Sequence, residues 1–143
     1  MKKAKDALCL FIRSLPDGAK YSIISFGTDY EIMKRKGKDV IECCEENNYM
    51  VLQTIESEFH ADLGGTNILD PLNKSFDIDT SEYGPLKTRV FILTDGQVDN
   101  PQQVINAAKN DAAIVHTFGI GSGCDAHLVH ETAKSGRGSS SIV

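Results

Sequence analysis

Ala4, Ala7, Leu8, Phe11, Ile12 and Leu15 recur at helical spacing with lysines between them, which predicts an amphipathic helix over residues 1–15. Pro16-Asp17-Gly18 ends it by turn chemistry. Tyr21-Ser22-Ile23-Ile24-Ser25-Phe26 then predicts a strand stopping at Gly27-Thr28, and Glu31-Ile32-Met33 a short edge strand. From Asp39 to about Glu58, the residues Val40, Cys43, Cys44, Met50, Val51 and Ile55 predict a helix, broken near Asn47-Asn48. Beyond Gly64-Gly65, Ile68, Leu69, Leu72 and Phe76 fit a short helix with Asn67 near its start.

The polar stretch from Asp77 to Leu86, with Gly84-Pro85, reads as a loop. Arg89-Val90-Phe91-Ile92-Leu93 is a strand short enough to be buried on both faces. Asn100 is a natural cap with Pro101 at the first helical position, and that helix is expected to run to about Asp111. Ala112 to Phe118 is the next strand, Gly119 to Gly123 a glycine-rich turn, and Asp125 caps a helix to about Ser135. Gly136-Arg137-Gly138 leads into a last strand near Ser139 to Val143. Strands alternating with helices predict an α/β fold: a Rossmann-like open, mostly parallel sheet with helices on both faces.

The length of 143 residues suits one domain, and 41% hydrophobic composition supports an ordinary core. The net charge of -5 argues against a nucleic-acid or anionic-membrane surface, which needs a clustered basic face. The basic concentrations, Lys2, Lys3, Lys5 and Lys34-Arg35-Lys36, are short and flanked by acids, so they read as solvated faces. No segment approaches the roughly 20 apolar residues of a membrane span, and the N-terminus lacks the apolar core of a signal peptide. Cys9, Cys43, Cys44 and Cys124 show no framework spacing. The adjacent pair is expected to share a helix, a poor geometry for a disulfide. Reduced thiols in a cytoplasmic protein are the expectation, with secretion left open if the chain was cut from a longer one.

The candidate chemistry lies at strand ends. Asp95, after Leu93-Thr94, puts a carboxylate at the carboxyl edge of the sheet, where open α/β sheets bind ligands. Thr66, after Gly64-Gly65, adds a hydroxyl, and the two suit Mg²⁺ or Mn²⁺, which prefer oxygen donors and keep several waters. Each alone also has a plainer reading, as a turn and as the neighbour of a helix cap. Gly119-Ile120-Gly121-Ser122-Gly123 lacks the third glycine of a dinucleotide loop. Asp77-Ile78-Asp79-Thr80-Ser81 lacks the glycine and glutamate of a calcium loop. Cys124, His127 and His130 fall on opposing sides of a predicted helix with no fourth ligand, which argues against zinc. His116 reads as a satisfied core histidine, and no nucleophile-base pattern supports catalysis.

Taken in order, several segments resemble a von Willebrand factor A domain, in the branch that accompanies a VIT domain in inter-alpha-trypsin-inhibitor-like proteins. They are Ala4 to Leu8, Phe11 to Pro16, Tyr21 to Gly27, Gly64 to Ile68, Arg89 to Gly96 and Phe118 to Gly123. The resemblance covers nearly the whole chain. It implies a metal-ion-dependent adhesion site made of an Asp-x-Ser-x-Ser segment after the first strand, a threonine carried over to Thr66, and an aspartate carried over to Asp95. It also implies a cation bridging to a carboxylate on a protein partner. The Asp-x-Ser-x-Ser segment occurs nowhere in this sequence. By the same comparison the central first strand precedes Met1 and the last helix follows Val143, so residues 1–143 read as a single incomplete domain with weak or no metal affinity. A fragment of a longer protein is the expectation, beside a truncated gene product and a chain completed by a partner strand. The alternatives in function are a nucleotide-binding or enzymatic α/β domain and a structural remnant without a ligand.

Overall fold

The computed structural model describes the backbone over residues 2–58, 67–84 and 86–142, and side chains over 5–57, 67–84 and 86–142. The chain divides into two compact units, Met1–Gly64 and Gly65–Val143.

The first unit begins with α1 (Lys2–Ser14), which buries Cys9 and Ile12 and leaves Leu10 exposed. Gly18, at φ 88, lets the chain reverse after Pro16, and its N–H donates to Cys43 O at 2.9 Å. Two short strands follow where one is predicted: β1 (Lys20–Tyr21) and β2 (Ile24–Phe26). They split because each takes a different antiparallel partner. β2 forms a hairpin with β3 (Tyr30–Ile32), and β1 pairs with β4 (Ile41–Glu42). Between the halves, Ser22 Oγ donates to Asp39 O at 2.8 Å and Ile23 O accepts from Met33 N at 2.9 Å.

The sequence places β4 inside a helix, and that is incorrect. Ile41 sits opposite Tyr21 and is 1% exposed, so tertiary burial overrides the helical spacing of its neighbours. Helix α2 therefore starts at Glu45 and runs unbroken through Asn47-Asn48 to Glu58. Asn47 Nδ2 reaches back to Glu42 O at 2.9 Å, and Glu45 and Glu46 complement the positive end of the helix. Cys43 and Cys44 precede this helix rather than sharing it. All four thiols are unbridged: Cys9 and Cys43 are buried, Cys44 and Cys124 half-buried.

The core of this unit joins Cys9, Ile12, Ile23, Ile41, Val51 and Ile55, with Tyr21 and Met33 packed against it. Tyr21 OH donates to Asn48 Oδ1 at 3.0 Å, and Asn48 Nδ2 donates to Cys43 Sγ at 3.2 Å. Burial pushes the Tyr21 phenol up to about 12, with charge on Cys43 and Cys44 adding to the effect. A raised value means that the unfolded chain ionises first. The stabilisation from Tyr21 is therefore intact below pH 10 and is lost as pH rises from 10 toward 12. Tyr21→Phe is expected to remove that part of the slope, about 1 kcal/mol after allowance for partial exposure, in urea unfolding at about pH 9 and pH 11.5.

The second unit holds α3 (Leu69–Asp77), β5 (Thr88–Thr94), α4 (Pro101–Ala107), β6 (Ala113–Gly119), α5 (Ala126–Ser135) and β7 (Arg137–Ile142). Its sheet is parallel, in the order β5-β6-β7, so the α/β expectation holds here. The paired strands of the first unit are antiparallel. A single turn of 3-10 helix, Ser81–Tyr83, interrupts the expected loop. Strand β5 is not buried on both faces: Arg89 and Phe91 are exposed, while Ile92 and Thr94 are buried.

Helix α4 ends four residues earlier than its spacing suggests. Asn110 Oδ1 accepts from Ala112 N at 2.7 Å, an Asx turn that redirects the chain into β6. Asp125 does cap α5, accepting from Leu128 N at 3.1 Å. α5 covers the face of β6 that carries Val115 and Gly119. A Cβ on Gly119 would stand 3.1 Å from a Val129 methyl. On the opposite face Phe91 stacks on its register partner His116 at 4.9 Å between centroids and 15° between planes.

The β6-β7 ladder shifts register between Val115 and Thr117. His116 Nδ1 accepts from Ser139 N at 3.0 Å, which places the proton of the neutral ring on Nε2.

Candidate functional site

The carboxyl edge of the parallel sheet is shaped by two loops. Thr94, buried at the end of β5, uses both its oxygens to fix the turn that follows. Its carbonyl accepts from Ile120 N at 2.9 Å, and its Oγ1 accepts from Gly96 N at 3.4 Å. Asp95, next in the chain, stands exposed at this edge.

The glycine-rich turn after β6 closes against it. Gly121 takes φ 78, and a Cβ on Gly123 would lie 3.4 Å from Asp95 O. A Cβ on Gly119 would stand 2.8 Å from Cys124 Sγ, so close packing calls for glycine there, whereas at Gly121 it is the positive φ that does. The pinning of Thr94 to Ile120 is a feature the sequence does not announce, because it joins two loops at a distance in the chain.

Thr66, the second expected ligand, lies outside the described residues. Its neighbour Asn67 opens α3: its Oδ1 accepts from Asp70 N at 3.3 Å while its Nδ2 donates to Asp70 Oδ2 at 2.8 Å. Among the described residues no group of three or more His, Cys, Asp or Glu side chains is placed to hold a metal ion. The described donor set at the edge thus supplies one expected carboxylate, Asp95, fewer oxygens than Mg²⁺ or Mn²⁺ takes.

The other motifs make local contacts. Asp79 Oδ1 accepts from Ser81 N at 2.9 Å and starts the 3-10 turn. The Ser81 hydroxyl, followed by its backbone N–H, holds that carboxyl below the usual range. Cys124 lies before α5 rather than within it, while His130 Nδ1 meets Ser140 Oγ at 2.7 Å. Among the described residues no helix is long and apolar enough to cross a membrane.

A parallel β5-β6-β7 sheet with helices, whose loops meet at the carboxyl ends of the strands, defines a Rossmann-like α/β fold. Within that class, the family model described as the von Willebrand factor type A domain matches residues 1–142, and the chain belongs to that family. Von Willebrand factor A domain-containing protein 5A of Rattus norvegicus is 32% identical over 146 residues, covering 100% of this chain and 17% of the relative. A von Willebrand factor A domain-containing protein of Dictyostelium discoideum is 31% identical over 140 residues, covering 96% of this chain and 16% of the relative. The chain therefore spans only a small part of these relatives' length.

Among solved structures, a von Willebrand factor type A protein from Catenulispora acidiphila superposes with TM-score 0.82 at 20% identity, over 99% of this chain and 34% of that one. Proximal thread matrix protein 1 of the mussel byssus, solved with a zinc-occupied MIDAS motif, gives TM-score 0.73 at 14% identity, over 99% of this chain and 36% of that one. These likenesses establish the fold.

Proposed function

We propose that residues 1–143 act as a protein-interaction module of the von Willebrand factor A family, without catalytic activity. The observation that carries this reading is Asp95, exposed at the carboxyl edge on a turn fixed by Thr94 and Ile120. In this reading Thr66 and Asp95 are two of the ligands of a Mg²⁺ or Mn²⁺ site, and a carboxylate on a partner protein binds at the ion. Two such donors are fewer than Mg²⁺ or Mn²⁺ takes, so the affinity of residues 1–143 for the ion is weak. The branch that accompanies a VIT domain and a cytoplasmic location belong to the same proposal.

Thermal unfolding in millimolar Mn²⁺ and in EDTA tests the site. The unaltered chain is expected to melt higher in Mn²⁺, by about 1.4 kcal/mol of stability when the ion is at ten times its Kd, and Asp95→Ala to show no such difference. Equal behaviour of the two proteins would remove Asp95 from the site and favour a structural remnant.

A further inference from the structure

The chain contains two Asp-Gly pairs, Asp17-Gly18 and Asp95-Gly96, and the fold holds them differently. In such a pair the glycine nitrogen can attack the preceding side-chain carboxyl, because no Cβ on the glycine shields it. The reaction needs an accessible carboxyl, a nitrogen released from its hydrogen bond, and a backbone loose enough to close a five-membered ring.

Asp17-Gly18 fails the last two conditions. Gly18 N–H donates to Cys43 O at 2.9 Å, and Ala19 N–H donates to Pro16 O at 3.1 Å across the turn. Gly18 N is released only when that turn opens, which costs free energy. Asp95-Gly96 lies outside any helix or strand, and its aspartate is exposed. Gly96 N–H is tied to the Thr94 hydroxyl at 3.4 Å, beyond the roughly 2.7–3.2 Å of an ordinary N–H···O bond. The firmer tie of this turn, from Ile120 N–H to Thr94 O at 2.9 Å, does not involve the Asp95-Gly96 peptide.

We propose that Asp95-Gly96 is a self-modification site at which Asp95 converts to isoaspartate. Gly96 N bonds to Asp95 Cγ, the Cγ–OH bond breaks, and the nitrogen's proton leaves with the hydroxyl as water. Water then adds to the ring at the main-chain carbonyl carbon of Asp95 and breaks that carbon's bond to Gly96 N. The peptide now runs through Cγ and is one carbon longer, and the free carboxylate stands on Cα. Only water is released and taken up. Conversion lengthens the turn after Thr94 and draws the carboxylate at the sheet edge back toward the main chain. It does so whether or not Asp95 holds a cation.

Ageing of the whole chain in mildly acidic buffer with EDTA tests the proposal, read by peptide mapping and by labelling with a protein isoaspartyl methyltransferase. The aged Asp95 peptide is expected to change retention at unchanged mass. In the native chain isoaspartate is expected to form about tenfold faster at Asp95 than at Asp17, the ratio set by opening of the Gly18 bond. In urea, where both turns are lost, the two sites are expected to convert at similar rates. Gly96→Val is expected to slow conversion at Asp95 severalfold by shielding the nitrogen, and to leave Asp17 unchanged. Equal native rates at the two sites overturn the proposal, whatever the fate of the valine variant. Conversion at Asp95 that appears only in urea, or an unchanged rate in folded Gly96→Val, overturns it too.

Discussion

Gly138→Ala is expected to destabilise the second unit by about 3 kcal/mol or more. A Cβ at this position would overlap the Val115 carbonyl oxygen and stand 2.7 Å from the Val115 carbonyl carbon and 3.0 Å from His116 Nδ1. The obstruction is main chain, so no rotamer change relieves it, and β7 must move away from β6. That movement also strains the Ser139-to-His116 bond beside the register shift. Gly121→Ala gives the comparison. It carries the cost of φ 78 with nothing within 4 Å of the added methyl, about 1–2 kcal/mol. Urea midpoints at constant slope check both, and equal losses would show that the close approach at Val115 is unimportant.

The second large effect belongs to the first unit. Ile55 is 0% exposed on α2 and shares a cluster with Ile12, Ile41 and Val51. Ile55→Ala removes three carbons from a site walled by neighbours that cannot all collapse inward, and is expected to cost about 3–4 kcal/mol. Leu10→Ala, on a side chain 67% exposed, is expected to change stability by less than about 0.5 kcal/mol. The pair is read by the same urea unfolding followed by circular dichroism. A small effect of Ile55→Ala would mean that this core rearranges around the gap.

Much of this was legible where the information is local. The Asp125 cap, Pro101 at a helix start and the apolar runs of β5 and β6 are short-range signals, and the structure places those elements close to where the pattern puts them. The errors arise where distant residues decide. Ile41-Glu42 fits a helical period until Lys20-Tyr21 pairs with it. Asn48 looks like a break until its amide finds Cys43 and its carbonyl oxygen accepts from Tyr21.

The same division runs through the candidate site. Asp95 at a strand end could be placed from Leu93-Thr94-Asp95-Gly96 alone, whereas the Thr94–Ile120 bond needs two loops to meet. Thr66 is placed by resemblance and lies outside the described residues. Lys34-Arg35-Lys36 reads as a solvated run flanked by acids, and Lys34 and Lys36 are exposed, with Lys34 paired to Asp39 and Arg35 to Glu46.

The parallel pairing of the second unit bears on how the chain assembles. Thr88 lies opposite Ala113 and Val115 opposite Arg137, so the two crossovers enclose loops of similar length. Closure entropy grows only slowly with length, so it hardly distinguishes them. The two crossovers differ instead in the helix that each carries. The first holds the seven-residue α4, while the second holds the ten-residue α5, capped by Asp125 and packed on both strands that it joins. The longer helix thus lies between β6 and β7, whereas β5, with Asp95 at its tip, shares the longer unbroken ladder with β6, seven register pairs from Thr88–Ala113 to Thr94–Gly119.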